Sequence, residues 1–152
     1  ISLDWQTFNL KAPLVPFPLD DVSPNRDQLE SILLSFCIKE KIPVIGVCRG
    51  MQFINLFHGG KIVPIDGHIN KSHQMNLLKS KDFLFDEKVN SFHAFGIPVD
   101  CLGEGVELLS ESDNYAESIY HSKYNHLGIM WHPERNRPFS VRDIKVFSDF
   151  FK

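Results

Sequence analysis

Three side chains have types and spacings that could do covalent chemistry. Cys48 sits in Gly46-Val47-Cys48-Arg49-Gly50. The motif follows the short β-branched run of residues 43–47 and precedes a helical pattern over residues 50–57, which Gly59-Gly60 stops. G-x-C-x-G at a strand-to-helix turn is the thiol form of a nucleophile elbow. The turn pushes one side chain above the sheet edge. Gly46 and Gly50 are expected to flank it because a side chain at either would collide with the turn. The thiol would stand at a helix N-terminus, whose partial positive charge favours thiolate. The backbone N–H of Arg49 would point to where a substrate oxyanion forms. A buried structural cysteine fits the motif equally well, so a second group has to decide.

That group is in residues 128–135, GIMWHPER. Read as a strand, the segment puts His132 and Glu134 on one face, with Pro133 between them holding the next residue extended. A carboxylate two residues from an imidazole can bond one ring nitrogen and leave the other to face a thiol. This is the base and orienter of a Cys-His-acid triad.

The elements that must position these groups follow from periodicity. Residues 23–40 predict a helix with Ser23 as N-cap, Pro24 at the first position and Asp27 in the first turn. Leu29, Ile32, Leu33, Phe36 and Cys37 form its apolar stripe, which makes Cys37 a core residue. Residues 43–47 predict a buried strand, and Ile62-Val63 a brief extended piece. Residues 66–71 have loop composition. Further strands are expected over 73–78, 88–92, 106–109, 116–120 and 127–131. A closing helix is expected over 140–150, with Val141, Ile144, Val146, Phe147 and Phe150 apolar. This order points to an α/β layered fold.

With 152 residues, one domain over 1–152 is expected. Sixteen Lys plus Arg against nineteen Asp plus Glu give 16 − 19 = −3, which argues against a nucleic-acid polymer as partner. No apolar run could span a bilayer and no leader pattern opens the sequence, so no membrane role is expected. Three cysteines, Cys37, Cys48 and Cys101, without a C-x-x-C, predict free thiols in a reducing, cytoplasmic setting. His68 and His73, like His121 and His126, are five apart with no metal-binding pattern around them. They read as solvated surface histidines, with no metal expected.

Three stretches carry a family resemblance: PVIGVCRGMQFINLFHGG, VNSFHAFGI and WHPE. The sequence resembles a class I glutamine amidotransferase domain, and more closely the γ-glutamyl hydrolase branch, the peptidase C26 group. The match is strong from residue 43 onward and faint before it. The resemblance implies a flavodoxin-like fold, with a mostly parallel central sheet flanked by helices. It makes Cys48 the nucleophile, His132 the base and Glu134 its orienter. Gln52 would contact the glutamyl group, and Ser91, Phe92 and His93 would line the glutamyl pocket, partly through backbone groups. The implied reaction is hydrolysis of a small γ-glutamyl amide through a γ-glutamyl thioester, with no cofactor, metal or obligate protein partner.

Two departures from the family pattern stand out. The family's opening strand and its Gly-Gly loop, which supplies a second oxyanion donor, are both absent. The reading is that segments have been joined, with a Cα step far beyond about 3.8 Å expected between Phe17 and Asn25. Two other functions share the pattern: a glutaminase passing ammonia to a synthase, and a non-catalytic ligand-binding domain. The leaving amine is hinted at only by charge. Arg49, Arg135 and Arg137 lie beside the nucleophile and the acid, and would suit an anionic leaving group. One family activity of that kind is hydrolysis of a γ-glutamyl nucleotide phosphoramidate, γ-glutamyl-CDP-amidate, in bacterial capsule synthesis. Solvated loop charges are the plain alternative.

Overall fold

A computed structural model describes residues 24–78 and 83–152, with side chains from Asp27 onward. The Ser23 cap and the expected break between Phe17 and Asn25 fall outside the described residues. Helix α1 spans Pro24–Glu40, with proline at its first position and Asp27 in its first turn. Its expected stripe is rotated: Leu29 is 45% and Leu33 50% exposed, while Ser31 and Leu34 are buried. The cause is non-local. Asp27 and Glu30 both turn inward to the guanidinium of Arg49, and Leu34 packs in the core beside them. Cys37 is half-buried, and burial raises its thiol pKa.

Strand β1 (Val44–Val47) runs into helix α2 (Arg49–Phe57) with only Cys48 between them. Two short antiparallel ribbons follow. β2 (Val63–Pro64) pairs with β6 (Phe95–Gly96), and β3 (Ile69–Gln74) pairs with β5 (Lys88–Phe92). The loop expected over 66–71 is therefore shorter, because Ile69 and Lys71 already pair with Phe92 and Ser91. β4 (Asn76–Leu77) leaves the ribbon and joins the main sheet.

That sheet is completed by β7 (Val106–Ser112), β8 (Tyr115–His121) and β9 (His126–Ile129), in the order β1-β9-β8-β7-β4. The α/β class holds, but the mostly parallel sheet expected needs correcting among the described residues. Only β1–β9 is parallel; β9–β8, β8–β7 and β7–β4 are antiparallel. The reason is local. Parallel neighbours need a crossover, whereas Asp113-Asn114, both at positive φ, make a tight hairpin between β7 and β8.

Apolar residues alternate across the sheet. Leu127 and Ile129 of β9 join Trp131, Val146 and Phe150 in one core. Helix α3 (Val141–Phe150) closes that face, capped by Ser140 Oγ, which accepts from Arg142 N–H and Asp143 N–H. A Trp131 indole N–H donates to Asp143 Oδ1 at 3.1 Å, tying the exit of β9 to α3. On the other face Met51 and Ile54 of α2 pack with Ile119 of β8. Gly128 permits this approach: a Cβ there would lie 2.7 Å from Met51 Cγ and Ile119 Cγ1.

Candidate active site

The parallel pair sets the site. Its register matches Val47 with Ile129, so both strands end at one edge. The Cys48 N–H donates to Ile129 O at 2.7 Å, extending the ladder by one bond. The chain then reverses: Cys48 has φ 50 and ψ −105 and is the N-cap residue of α2. A β-carbon residue is rarely held at positive φ, and strain of this kind collects at functional sites. Gly46 makes the turn possible, since a Cβ there would lie 2.6 Å from both C and O of Gly50. Gly50 itself has open space where its Cβ would be, so the expected collision belongs to Gly46 alone.

Three residues past the end of β9, His132 Nδ1–H donates to Glu134 Oε1 at 2.6 Å. The expected extended segment is not how they meet. β9 ends at Ile129, and Pro133–Arg135 is a 3₁₀ turn in which Arg135 N–H donates to His132 O at 3.1 Å. Proline's fixed φ suits the first position of a helical turn as well as an extended chain, so residue type alone does not separate the two. Partial burial pushes the Glu134 carboxyl up. The His132 bond, a backbone N–H and the charges of His132 and Arg135 outweigh it, and its pKa lies below the usual value.

Asn90 of β5 holds His132 in place and was not singled out from the sequence. Its Oδ1 accepts from His132 N–H at 2.9 Å. Its Nδ2–H groups donate to His132 O at 2.8 Å and Asn136 Oδ1 at 2.9 Å. The signal available was its place in V-N-S-F-H, where a strand-disfavoured amide interrupts a β pattern. Strand alternation puts Phe92 on the same side, its ring edge-on to the His132 imidazole at 5.8 Å. Ser91 and His93 face the other way. Ser91 is fully buried, with Oγ donating to His68 O at 2.5 Å, and His93 Nδ1–H donates to Phe95 O at 2.9 Å. Only their backbones are left for a pocket beside His132.

Gln52 is buried on α2, and its Nε2 donates to that same Phe95 carbonyl at 2.9 Å. The three arginines separate. Arg49 is buried on Asp27 and Glu30, so its guanidinium is committed to α1 and not to a leaving group. Arg137 folds onto its own turn, donating to Glu134 O and Asn136 O at 2.8 Å each. Arg135 is exposed, with its guanidinium 4.0 Å from the Phe92 ring centroid.

The histidines expected at the surface are not there. His121 and His126 are buried and pack with His58 and Tyr124, the His58 and His121 rings lying 4.3 Å apart. His68 is buried and His73 half-buried, both beside His93. Among the described residues, no helix is long and apolar enough to cross a membrane.

Comparisons with known proteins give this arrangement a setting. The chain is 38% identical over 131 residues to the γ-glutamyl-CDP-amidate hydrolase of Campylobacter jejuni, covering 86% of this chain and 60% of that protein. It is 28% identical over 143 residues to the γ-glutamyl-γ-aminobutyrate hydrolase of Escherichia coli O157:H7, covering 76% of this chain and 55% of that protein. The chain thus spans little more than half the length of these relatives. A glutamine amido transferase from Methylobacillus flagellatus shares the fold, with TM-score 0.65 at 18% identity over 88% of this chain and 54% of that one. Residues 17–134 match the family model of Peptidase C26. That stretch contains the elbow, the Asn90 strand and the His-Pro-Glu turn, and the chain belongs to the peptidase C26 family.

Proposed function

We propose that the chain hydrolyses a γ-glutamyl amide with Cys48, His132 and Glu134. The observation that carries this is the shared sheet edge: the strained Cys48 turn ends β1, and the bonded His132–Glu134 pair follows the parallel β9. Cys48 thiolate attacks the γ-carbonyl, and the Arg49 N–H at the start of α2 receives the oxyanion. His132 gives a proton to the leaving amine as the C–N bond breaks and a γ-glutamyl thioester remains. His132 then takes a proton from water, whose oxygen displaces Cys48 and releases glutamate. Gln52 and the backbones of Ser91, Phe92 and His93 line the glutamyl side. Cys37, Cys48 and Cys101 form no disulfide, which suits a reducing compartment such as the cytoplasm.

The leaving group is an anionic phosphoramidate of the γ-glutamyl-CDP-amidate type. The name of the Campylobacter relative and the position of Arg135 support this. Arg135 is exposed one residue past Glu134 and braced on Phe92, so its fork of donors is preorganised for phosphate. Arg137, occupied by its own turn, is assigned to shaping that turn. The test is glutamate release by purified protein from γ-glutamyl phosphoramidates, neutral γ-glutamyl amides and glutamine. Arg135→Ala is expected to cost about 1–3 kcal/mol in kcat/KM on the charged substrate and little on a neutral amide. Arg137→Ala is expected to cost the same on both. Equal losses for Arg135→Ala on both substrates would refute the leaving-group assignment. Hydrolysis confined to glutamine would refute the wider reading.

A further inference from the structure

Behind the strand that carries Asn90 and Phe92 lies a second polar cluster that the hydrolytic chemistry does not use. Glu117 of β8 is fully buried: His73 Nε2 lies 3.1 Å from its Oε1 without good hydrogen-bond geometry, and its Oε2 has no hydrogen-bond partner. Facing it are His93 at the end of β5 and His68 just before β3, both buried. His93 Nδ1–H donates to Phe95 O, so its Nε2 carries a lone pair, and that nitrogen has no partner and lies 3.9 Å from Glu117 Oε1. His68 Nδ1 is likewise buried without a partner. One ligand atom from each of His68, His93 and Glu117 lies within 4.8 Å of the others.

Lone pairs turned on a buried carboxylate are mutually repulsive, and unpaired buried polar groups are costly. A cation between them resolves both problems. We propose that His68, His93 and Glu117 bind a divalent transition-metal ion of the zinc class, which fastens the β3–β5 ribbon to the central sheet.

The donor set suits this class: two imidazoles and a carboxylate are zinc ligands, and a fourth position completes a tetrahedron. His73 is placed to fill or brace it, with Nε2 at 3.1 Å from Glu117 Oε1. Ligand atoms about 2.1 Å from a tetrahedral ion lie about 3.4 Å apart, so atoms at the 4.8 Å limit would have to close by about 1.4 Å on binding, within reach of side-chain rotation. The supporting contacts are those of ligand histidines. The second nitrogen of His93 is held by a backbone carbonyl, and the His68 backbone by Ser91 Oγ. A hollow of about 410 Å³ bordered by Asp66, Gly67, Ile69 and Ala94, chain neighbours of His68 and His93, offers a way in. The hydrogen-bonded alternative is a His73–Glu117 ion pair: the carboxylate raises His73, against the opposing effect of burial.

The test uses untagged protein carrying Cys48→Ser, so that the elbow thiol cannot bind the ion and activity is not the readout. After chelator treatment and dialysis, Zn²⁺ and Co²⁺ are titrated in by calorimetry and by the visible bands of cobalt. The expectation is one equivalent per chain and a thermal midpoint several degrees higher with zinc. Affinity should fall at least tenfold in His68→Asn and in Glu117→Gln, and stay unchanged in His126→Asn, which alters the other histidine cluster. If Glu117→Gln fails to fold by circular dichroism, His68→Asn carries the comparison. No binding in the parent, or binding that His68→Asn leaves intact, overturns the site and favours the ion pair.

Discussion

Asn90→Ala separates holding the base from supplying it. The substitution removes three hydrogen bonds, two of them to the peptide groups of His132. At about 1 kcal/mol net each the ceiling is about 3 kcal/mol. Asn90 is only half-buried, and water recovers part of that, so about 2 kcal/mol of stability is expected. For a chain of this length that is a fall of about 4–8 °C in Tm. The catalytic loss should be larger. His132 stands on a turn anchored by Asn90, and a displacement of a catalytic group by about 1 Å costs about 10²-fold in rate. The assay pairs thermal unfolding with kcat for glutamate release, measured well below the variant's Tm. The loss should fall on kcat, with KM little changed, because Asn90 contacts the base and not the substrate. Activity within about twofold of the parent, alongside the expected loss of Tm, would show that the His132 turn holds itself. The positioning argument would then be wrong.

Two further outcomes follow from the same geometry. His132→Asn should lower kcat by about 10²–10⁴-fold. Glu134→Gln should cost only about tenfold, because the Glu134 side chain is 60% exposed and its charge is screened; comparable losses in single-turnover assays would contradict that ranking. Acidification should destabilise the protein through His58 and His126, which burial, with the charge of neighbouring histidines, lowers to about 4. The unfolded chain takes up protons near pH 6.5 that the native imidazoles refuse, so stability should hold above that pH, fall between about 6.5 and 4, and level below. Each imidazole would cost up to about 2 kcal/mol at pH 5. Allowing for the solvent that reaches His58, about 2–3 kcal/mol is expected for the pair by urea unfolding at pH 7 and 5. A midpoint and slope independent of pH over that range would refute it.

What could be read from the chain was what lay close together in it. Cys48 between a β-branched run and a helical pattern, and His132 two residues from Glu134, are local arrangements. The strand over Lys88–Phe92 was likewise expected from its own short segment. What could not be read was long-range. Arg49 draws Asp27 and Glu30 inward and so turns Leu29 and Leu33 outward, which no periodicity on α1 alone could reveal. Asn90 serves His132 across two elements, and the histidines of two distant segments converge on Glu117 only after β3, β5 and β8 have paired. The 3₁₀ turn at Pro133 was hidden for another reason: proline permits both conformations, and the hydrogen bonds of Arg135 and Asn136 decide between them.

The central claim is that Cys48 carries the glutamyl group as a thioester. Rapid mixing with a γ-glutamyl amide, acid quench and intact-protein mass spectrometry test it directly. The account predicts one glutamyl residue added per chain, mapped to the Cys48 peptide, released by hydroxylamine, and absent in a folded Cys48→Ala variant that no longer releases glutamate. Continued turnover by Cys48→Ala, or an adduct on another residue, would contradict it.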